Sequence, residues 1–299
     1  MNRYNYSIII PHKNIPNLLQ RCLNSIPERE DVQIIIIDDN SNPKTVDFSD
    51  FPGKKRKNTE IFFLKKENGG AGFARNYGLN FAKGKWLLFA DADDFFNTCL
   101  NEVLDEYKDD AADIVFFKII SIKGNWLNKF IDIFFINPKK GSILLKYLFV
   151  VSWAKLIKRS IVINNSIKFD EIQICEDITF SYLSGFYAKS IKADKRELYF
   201  WYYRENSLST QKINPDLLMD KLYVLSKALL FYKNLNQGIK LKKEYAKICD
   251  CLQNLFILDK FYLVKAKKIL INIGFNRIKA AVIILFSLIK SINAKVKYD

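Results

Sequence analysis

Four isoleucines in a row, Ile34-Ile35-Ile36-Ile37, run directly into Asp38-Asp39-Asn40-Ser41. An unbroken β-branched run suits a strand covered on both faces, as in a parallel sheet. The same pattern, an apolar run ending in a polar cluster, recurs twice. Residues 6–11 lead from Tyr6 through three isoleucines to Pro11-His12-Lys13-Asn14, and residues 85–91 lead through Trp86-Leu87-Leu88 to Asp91-Ala92-Asp93-Asp94. Residues 60–65 and 114–120 are further strand-like runs, while residues 14–25 and 72–82 carry helical apolar spacing between strands. Strand–helix alternation of this kind predicts a doubly wound α/β layer. Ligands of such sheets bind at the carboxyl ends of the strands, where all three polar clusters fall.

The rest of the chain is less regular. Residues 42–59 hold Pro43, Pro52, Gly53 and a basic run at 54–57, and read as a long surface loop. Residues 124–151 are aromatic and show no clear period. Residues 177–188 suit a helix and 198–203 a strand. After Asn214-Pro215 the leucines at 217, 218, 222, 225 and 229 begin a series of helical, lysine-rich patterns. We place a boundary near Gln211, giving an α/β domain at 1–210 and a basic helical region at 211–299. The net charge of +15 is uneven: the residues from Gln211 onward carry +11, leaving +4 for the body. Such a module fits an anionic partner, either a membrane surface or nucleic acid.

Other classes fit poorly. The apolar fraction of 49% argues against disorder. The opening residues enter a strand with no cleavage-site pattern, so no secretory signal is expected. The uncharged stretch 280–289 is too short for a membrane span of about 20 residues. Five scattered cysteines and a single histidine, His12, make no zinc pattern, and point to free thiols in a reducing cytoplasm.

Each polar cluster has a structural and a chemical reading. Asp91 and Asp93, two apart on an extended segment, would project to the same side. Carboxylates so placed can hold Mg2+ or Mn2+ against a diphosphate; equally, the cluster is a solvated acidic turn. Asp39 could accept a hydrogen bond from a ribose or base, or belong to an ordinary Asp/Asn/Ser turn. Asn68-Gly69-Gly70-Ala71-Gly72 opens a helix whose N-terminus favours anions, with Arg75 one turn in, but it matches neither a dinucleotide fingerprint nor a P-loop. Glu176-Asp177 begins another helix, with Asp177 either an N-cap or a general base.

In this order the segments "SIIIPHKN", "IIIIDDNS", "ENGGAGFARNYGL", "GKWLLFADADD", "SWAKLIKRS", "CEDITF" and "YYRENSLST" resemble the inverting family 2 glycosyltransferases. These have the GT-A fold and serve bacterial surface polysaccharides such as capsule and lipopolysaccharide. The resemblance runs from Tyr6 to about Thr210; Lys13 stands where a tyrosine is usual, and His12 where a hydrophobic or small residue is common. It implies a Rossmann-like mixed sheet flanked by helices, a catalytic domain at 1–210 with a nucleotide-sugar half at about 1–120 and an acceptor half at about 121–210, and a metal-dependent hexosyl- or N-acetylhexosaminyltransferase. The donor would be a uridine-linked nucleotide sugar, and the acceptor a glycan or lipid-linked hydroxyl. Pro11, His12, Asn14, Asp39, Asn68, Gly70, Arg75, Asp91, Ala92 and Asp93 would then line the donor pocket. Asp93, with Asp91, would hold Mn2+ or Mg2+. Asp177 would be the base, supported by Glu176; Trp153 and Lys155 would face the acceptor; Arg204 and Ser207 would lie on a closing loop.

Two alternatives remain at this stage. A nucleotidyltransferase would show a glycine-rich loop after the first strand, where this chain has Pro11-His12-Lys13-Asn14. A non-enzymatic protein binding an anionic polymer would fit the basic tail, although no nucleic-acid motif is present and nucleic acid is not the expected partner. Lys265, Lys267, Lys268, Arg277, Lys279 and Lys290 flank apolar runs at 269–273 and 280–289. That pattern suits a helix lying on the inner face of an anionic membrane, or an amphipathic bundle packed on the catalytic domain.

Overall fold

The computed structural model describes residues 4–65, 69–205, 214–235, 241–258, 261–284 and 287. The first part of the chain contains β1 (Tyr6–His12), α1 (Pro16–Asn24), β2 (Val32–Asp39), β3 (Thr59–Leu64), α2 (Gly70–Leu79) and β4 (Trp86–Phe89). There follow β5 (Phe95–Phe96), α3 (Leu100–Tyr107), β6 (Ile114–Ile120), α4 (Asn128–Ile136), α5 (Pro138–Leu148) and β7 (Lys155–Lys158). The last elements of this part are α6 (Arg159–Asn164), α7 (Asp177–Tyr187) and β8 (Ile191–Phe200). The strands form one eight-stranded sheet in the order β3-β2-β1-β4-β7-β6-β8-β5. The β3-β2-β1-β4 half is parallel, and β7 joins both β4 and β6 antiparallel. This is the expected mixed sheet flanked by helices.

The isoleucine runs explain the parallel half. Ile8, Ile9 and Ile10 pair with Ile34, Ile35 and Ile36, and all six are buried. Gly78 of α2 lies flat on this face: a β-carbon there would come within 2.8 Å of Ile9 Cγ2. The register also pairs His12 with Asp38, so the polar ends of β1 and β2 emerge side by side. A second device fixes the far side of the site. Phe169 stacks on Phe180 at 4.0 Å, and Phe89 meets both edge-on, tying the end of β4 to the start of α7.

Several elements differ from the sequence reading. Residues 124–151 contain α4 and α5. Asn137-Pro138 separates the two, and the Asn137 side chain accepts a hydrogen bond from Lys140 N, an N-cap with proline at the first position. The 42–59 segment has no helix or strand before Thr59, which opens β3, but it is not merely a surface loop. Phe51 and Val46 are buried, and Arg56 donates to the carbonyls of Leu23, in the last turn of α1, and Ile26, just beyond it. β8 starts at Ile191 rather than 198, because its first half alternates charged residues with half-buried ones. β4 ends at Phe89, so Asp91 lies beyond the strand.

Compact units divide the chain: one comprises Met1–Ile172 and Glu176–Glu205, the other Gln173–Cys175 with the chain from Asn206 onward. The second is built on α8 (Pro215–Asn234), α9 (Leu241–Leu258) and α10 (Tyr262–Ile273). It has its own core of Leu218, Leu222, Leu225 and Leu229 against Ile248, Leu252, Leu255 and Leu270. Asn214 caps α8 by accepting from Leu217 N at 3.0 Å. All five cysteines are free, and no helix among the described residues is long and apolar enough to cross a membrane.

Candidate active site

At the ends of β1 and β2, hydrogen bonds fix a rigid corner. His12 is buried; its Nε2 accepts from Ile15 N at 3.1 Å, which leaves Nδ1–H to donate to Asp38 at 2.8 Å. Both ring nitrogens are thus occupied within the protein, so His12 is a brace rather than the donor contact expected from sequence. Burial raises the Asp38 carboxyl, but hydrogen bonds from His12, the Ser41 hydroxyl and Ser41 N outweigh it and hold it below the usual range. Asn14, in a left-handed conformation, ties the two loops: its N donates to Ser41 Oγ and its Oδ1 accepts from Asn42 N. Pro11 lies in β1 beside Ile37.

Asp39 faces differently. Its Oδ2 accepts from Gly70 N at 2.9 Å and from Lys13 at 3.4 Å. Its Oδ1 is buried and has no hydrogen-bond partner among the described residues. Gly69 permits this approach, since a β-carbon there would fall 2.6 Å from that oxygen. Asn68 and Ser207 lie outside the described residues.

Asp91, Asp93 and Asp94 do not alternate along an extended strand. Asp94 N donates to Asp91 O at 3.0 Å, closing a turn. Asp91 N donates to the Tyr199 hydroxyl at 2.8 Å, and Trp153 stacks behind Tyr199 at 5.0 Å. Trp153 is therefore a buried prop for the turn, not the acceptor-facing residue expected. Ala92 is buried within the turn. Asp94 is buried too, with Oδ1 accepting from Tyr202 N; burial and the charges of Asp91 and Asp93 hold its carboxyl well above the usual range. Burial and Asp91 also raise Asp93, against the opposing pull of Arg204, whose guanidinium binds Asp93 Oδ2 at 3.2 Å.

Arg75 links this turn to the second acidic pair. Its guanidinium is buried over the Phe169 ring and donates to Asp91 Oδ1 at 2.5 Å and Glu176 Oε1 at 2.7 Å. It is an ion-pair hub beneath the site rather than a free hand for base or phosphate. Gly72, one turn earlier, lets α2 reach the loop that carries Glu176: a β-carbon there would sit 2.1 Å from Asp170 O. That loop closes as Asp170 N donates to Glu176 O at 3.1 Å.

Asp177 is the first residue of α7, and Glu176 occupies the cap position with no side-chain capping bond. Asp177 therefore does not take the N-cap position, the structural one of its two readings from sequence. Its carboxyl is pushed up to about 7, first by desolvation, then by the neighbouring Glu176 charge, with Asp91 adding to the rise and Arg75 and Lys155 opposing it. Lys155 is buried, not turned to an acceptor. Its ammonium donates to Phe149 O at 2.7 Å and Ser181 Oγ at 3.2 Å, and burial lowers its pKa to about 7.

Metal chemistry fits the Asp91–Asp93 pair, though no cluster of three metal-ligating side chains occurs among the described residues. One oxygen of each aspartate is bound by arginine, and no side-chain hydrogen bond to the other oxygen is seen among the described residues. Two carboxylates with phosphate oxygens completing the shell suffice for Mg2+ or Mn2+. The structural residues that sequence reasoning missed are Tyr199, Phe169 and Arg21, whose guanidinium donates to Asp93 O and lies over the Tyr202 ring. Each lies far along the chain from what it supports, so no local pattern marks it.

The comparisons agree with this architecture. Residues 7–166 match the model of "Glycosyl transferase family 2". The chain is 30% identical over 275 residues to "Minor teichoic acid biosynthesis protein GgaB" of Bacillus subtilis, covering 86% of the chain and 30% of that relative. It is also 30% identical over 260 residues to "Poly(ribitol-phosphate) beta-N-acetylglucosaminyltransferase TarP" of Staphylococcus aureus, covering 80% of the chain and 77% of the relative. The chain spans about a third of the length of some curated relatives it matches. Its fold is similar to the crystal structure of S. aureus TarS 1-349 in complex with UDP-GlcNAc, with TM-score 0.63, 20% identity, 92% of this chain and 81% of that one. The sheet, the ordered acidic sites and these matches converge: the chain belongs to glycosyl transferase family 2.

Proposed function

We propose that the chain transfers a sugar, with inversion, from a uridine-linked nucleotide sugar to a hydroxyl of a teichoic acid or related surface glycan. The observation that carries this reading is Asp177, a carboxyl with a pKa of about 7 at the start of α7, joined through Glu176 and Arg75 to Asp91. An acceptor hydroxyl has a pKa far above 7, so its proton must leave as attack proceeds. Asp177 takes that proton. The hydroxyl oxygen bonds to the anomeric carbon from the face opposite the diphosphate, and the electron pair of the broken bond leaves with the nucleoside diphosphate. Asp39 Oδ1, buried without a partner among the described residues, is suited to accept a hydrogen bond from an N–H of the base. Asp91 and Asp93 would hold Mn2+ or Mg2+, which supplies Lewis-acid neutralisation of the leaving diphosphate when bound. The relatives named for poly(ribitol-phosphate) and teichoic acid support the acceptor class.

The test is a screen of nucleotide sugars for released nucleoside diphosphate, run with Mn2+ and with chelator. Release from one uridine-linked sugar, lost on chelation, is expected. An Asp177→Asn variant should bind that donor normally and lose transfer by about 10²-fold or more. Wild-type turnover by this variant, or release from no nucleotide sugar, overturns the reading.

A further inference from the structure

The catalytic unit carries an apolar face that its own fold leaves open. Ile122, Trp126, Phe135 and Ile136 lie within fifteen residues and are 73%, 58%, 47% and 84% exposed. They are not scattered. Leu127, Phe130 and Ile131 anchor α4 to the core, which turns Lys129, Asp132, Phe135 and Ile136 outward along the opposite stripe. Trp126 stands at the head of that stripe, three residues before Lys129. The stripe is thus roughly 15 Å long, with large apolar side chains at both ends.

The charges around it are mostly positive. Residues 118–140 hold five lysines and one acid, Asp132, which is paired with Lys118 at 2.6 Å. Lys129 lies over the rings of Trp126 and Phe130, and Lys195 from β8 lies 4.6 Å over Phe135. Lys139 and Lys140 follow, exposed at the start of α5. Protein interfaces are depleted in lysine, whereas apolar and aromatic anchors rimmed by lysine are the composition of a helix lying in an anionic lipid interface. The face also adjoins the site. Lys123 lies 4.3 Å over the Tyr203 ring, and the next residue, Arg204, binds Asp93.

We propose that residues 122–140 are a docking face for an anionic lipid bilayer, bringing the Asp93 side of the site to the membrane surface. Trp126 and Ile136 insert at the two ends of α4, and Lys123, Lys129, Lys139, Lys140 and Lys195 meet the lipid phosphates. This differs from membrane attachment through the basic C-terminal helices and does not rest on the transfer reading.

The test uses the full chain and sedimentation with vesicles of phosphatidylcholine, alone or with about one third phosphatidylglycerol. Wild type should bind the anionic vesicles and show a blue shift of tryptophan emission; it should bind neutral vesicles weakly. A Trp126→Ser, Ile136→Ser double variant should lose at least about fivefold in partitioning with an unchanged Tm, because both side chains are exposed. A Lys139→Glu, Lys140→Glu variant should lose the preference for anionic lipid. Unchanged binding by the first variant, equal binding of wild type to neutral vesicles, or no binding of wild type overturns the proposal. So does concentration-dependent self-association of wild type that the double variant abolishes, which would assign the face to a second copy. Donor hydrolysis in lipid-free solution should be the same in wild type and double variant, so failure of the docking face and failure of the transferase reading are read separately.

Discussion

Asp91, Glu176 and Asp177 crowd around Arg75, and the neighbouring charges act on the protonation of Asp177. Desolvation and Glu176 raise the Asp177 carboxyl from 3.8 to about 7. The sign of the consequence is definite: an acid whose folded pKa is raised costs stability as pH climbs from its unfolded value through its folded one. Asp177→Asn should therefore be more stable than wild type at pH 8, by about 1 kcal/mol or more, with a correspondingly higher Tm, and should differ little at pH 4. Thermal melts at the two pH values check this; equal Tm values at pH 8 would mean that the carboxyl is not strained. The proposed mechanism needs Asp177 ionised, so the acidic limb of the pH–rate profile should lie near 7. Glu176→Gln removes a charge that raises Asp177, and should move that limb to lower pH, while Lys155→Met removes an opposing charge and should move it higher. Spacing placed Asp177 at a helix start in the sequence, but its raised pKa required the burial and neighbours that only the fold supplies. His12 makes the opposite case: its position at a strand end suggested a ligand contact, and the fold spends both ring nitrogens on Asp38 and Ile15.

Elements place these side chains, and glycine at 72 is the tightest point between them. Gly72→Ala would set a methyl 2.1 Å from Asp170 O, so α2 or the 170–176 loop must move. We expect a loss of ~2 kcal/mol or more in stability, together with weakened transfer, because Arg75 sits one turn along α2. Denaturant unfolding combined with donor binding tests both parts; wild-type stability would show that the approach is slack. The strands of the parallel half were legible because their β-branched runs are buried on both faces and end in polar residues. Helices α4 and α5 were not, because apolar residues face both the core and solvent there and blur the helical period. β8 was seen only in its buried half for a related reason: Lys192, Arg196 and Glu197 carry little periodic signal.

At the scale of the whole molecule, the chain has two cores of different kinds. One packs isoleucines and aromatics on a sheet, and the other packs leucines between α8, α9 and α10. Leu252 is fully buried in the second. Leu252→Ala should cost about 2–5 kcal/mol within that unit while donor hydrolysis in solution persists at low temperature. Calorimetry with an activity assay on the same sample checks this, and loss of hydrolysis in the folded variant would show that the helices are required for chemistry. The sequence by itself determined the parallel half-sheet, the strand-end position of the acids and the family, because these depend on local runs and their order. Tertiary structure alone decided that Arg75 bridges Asp91 and Glu176, that Trp153 and Lys155 point inward, and that α4 shows an apolar face. Those features arise from contacts between residues tens of positions apart, and charge, burial and pKa at such contacts are properties of the packed molecule rather than of any segment.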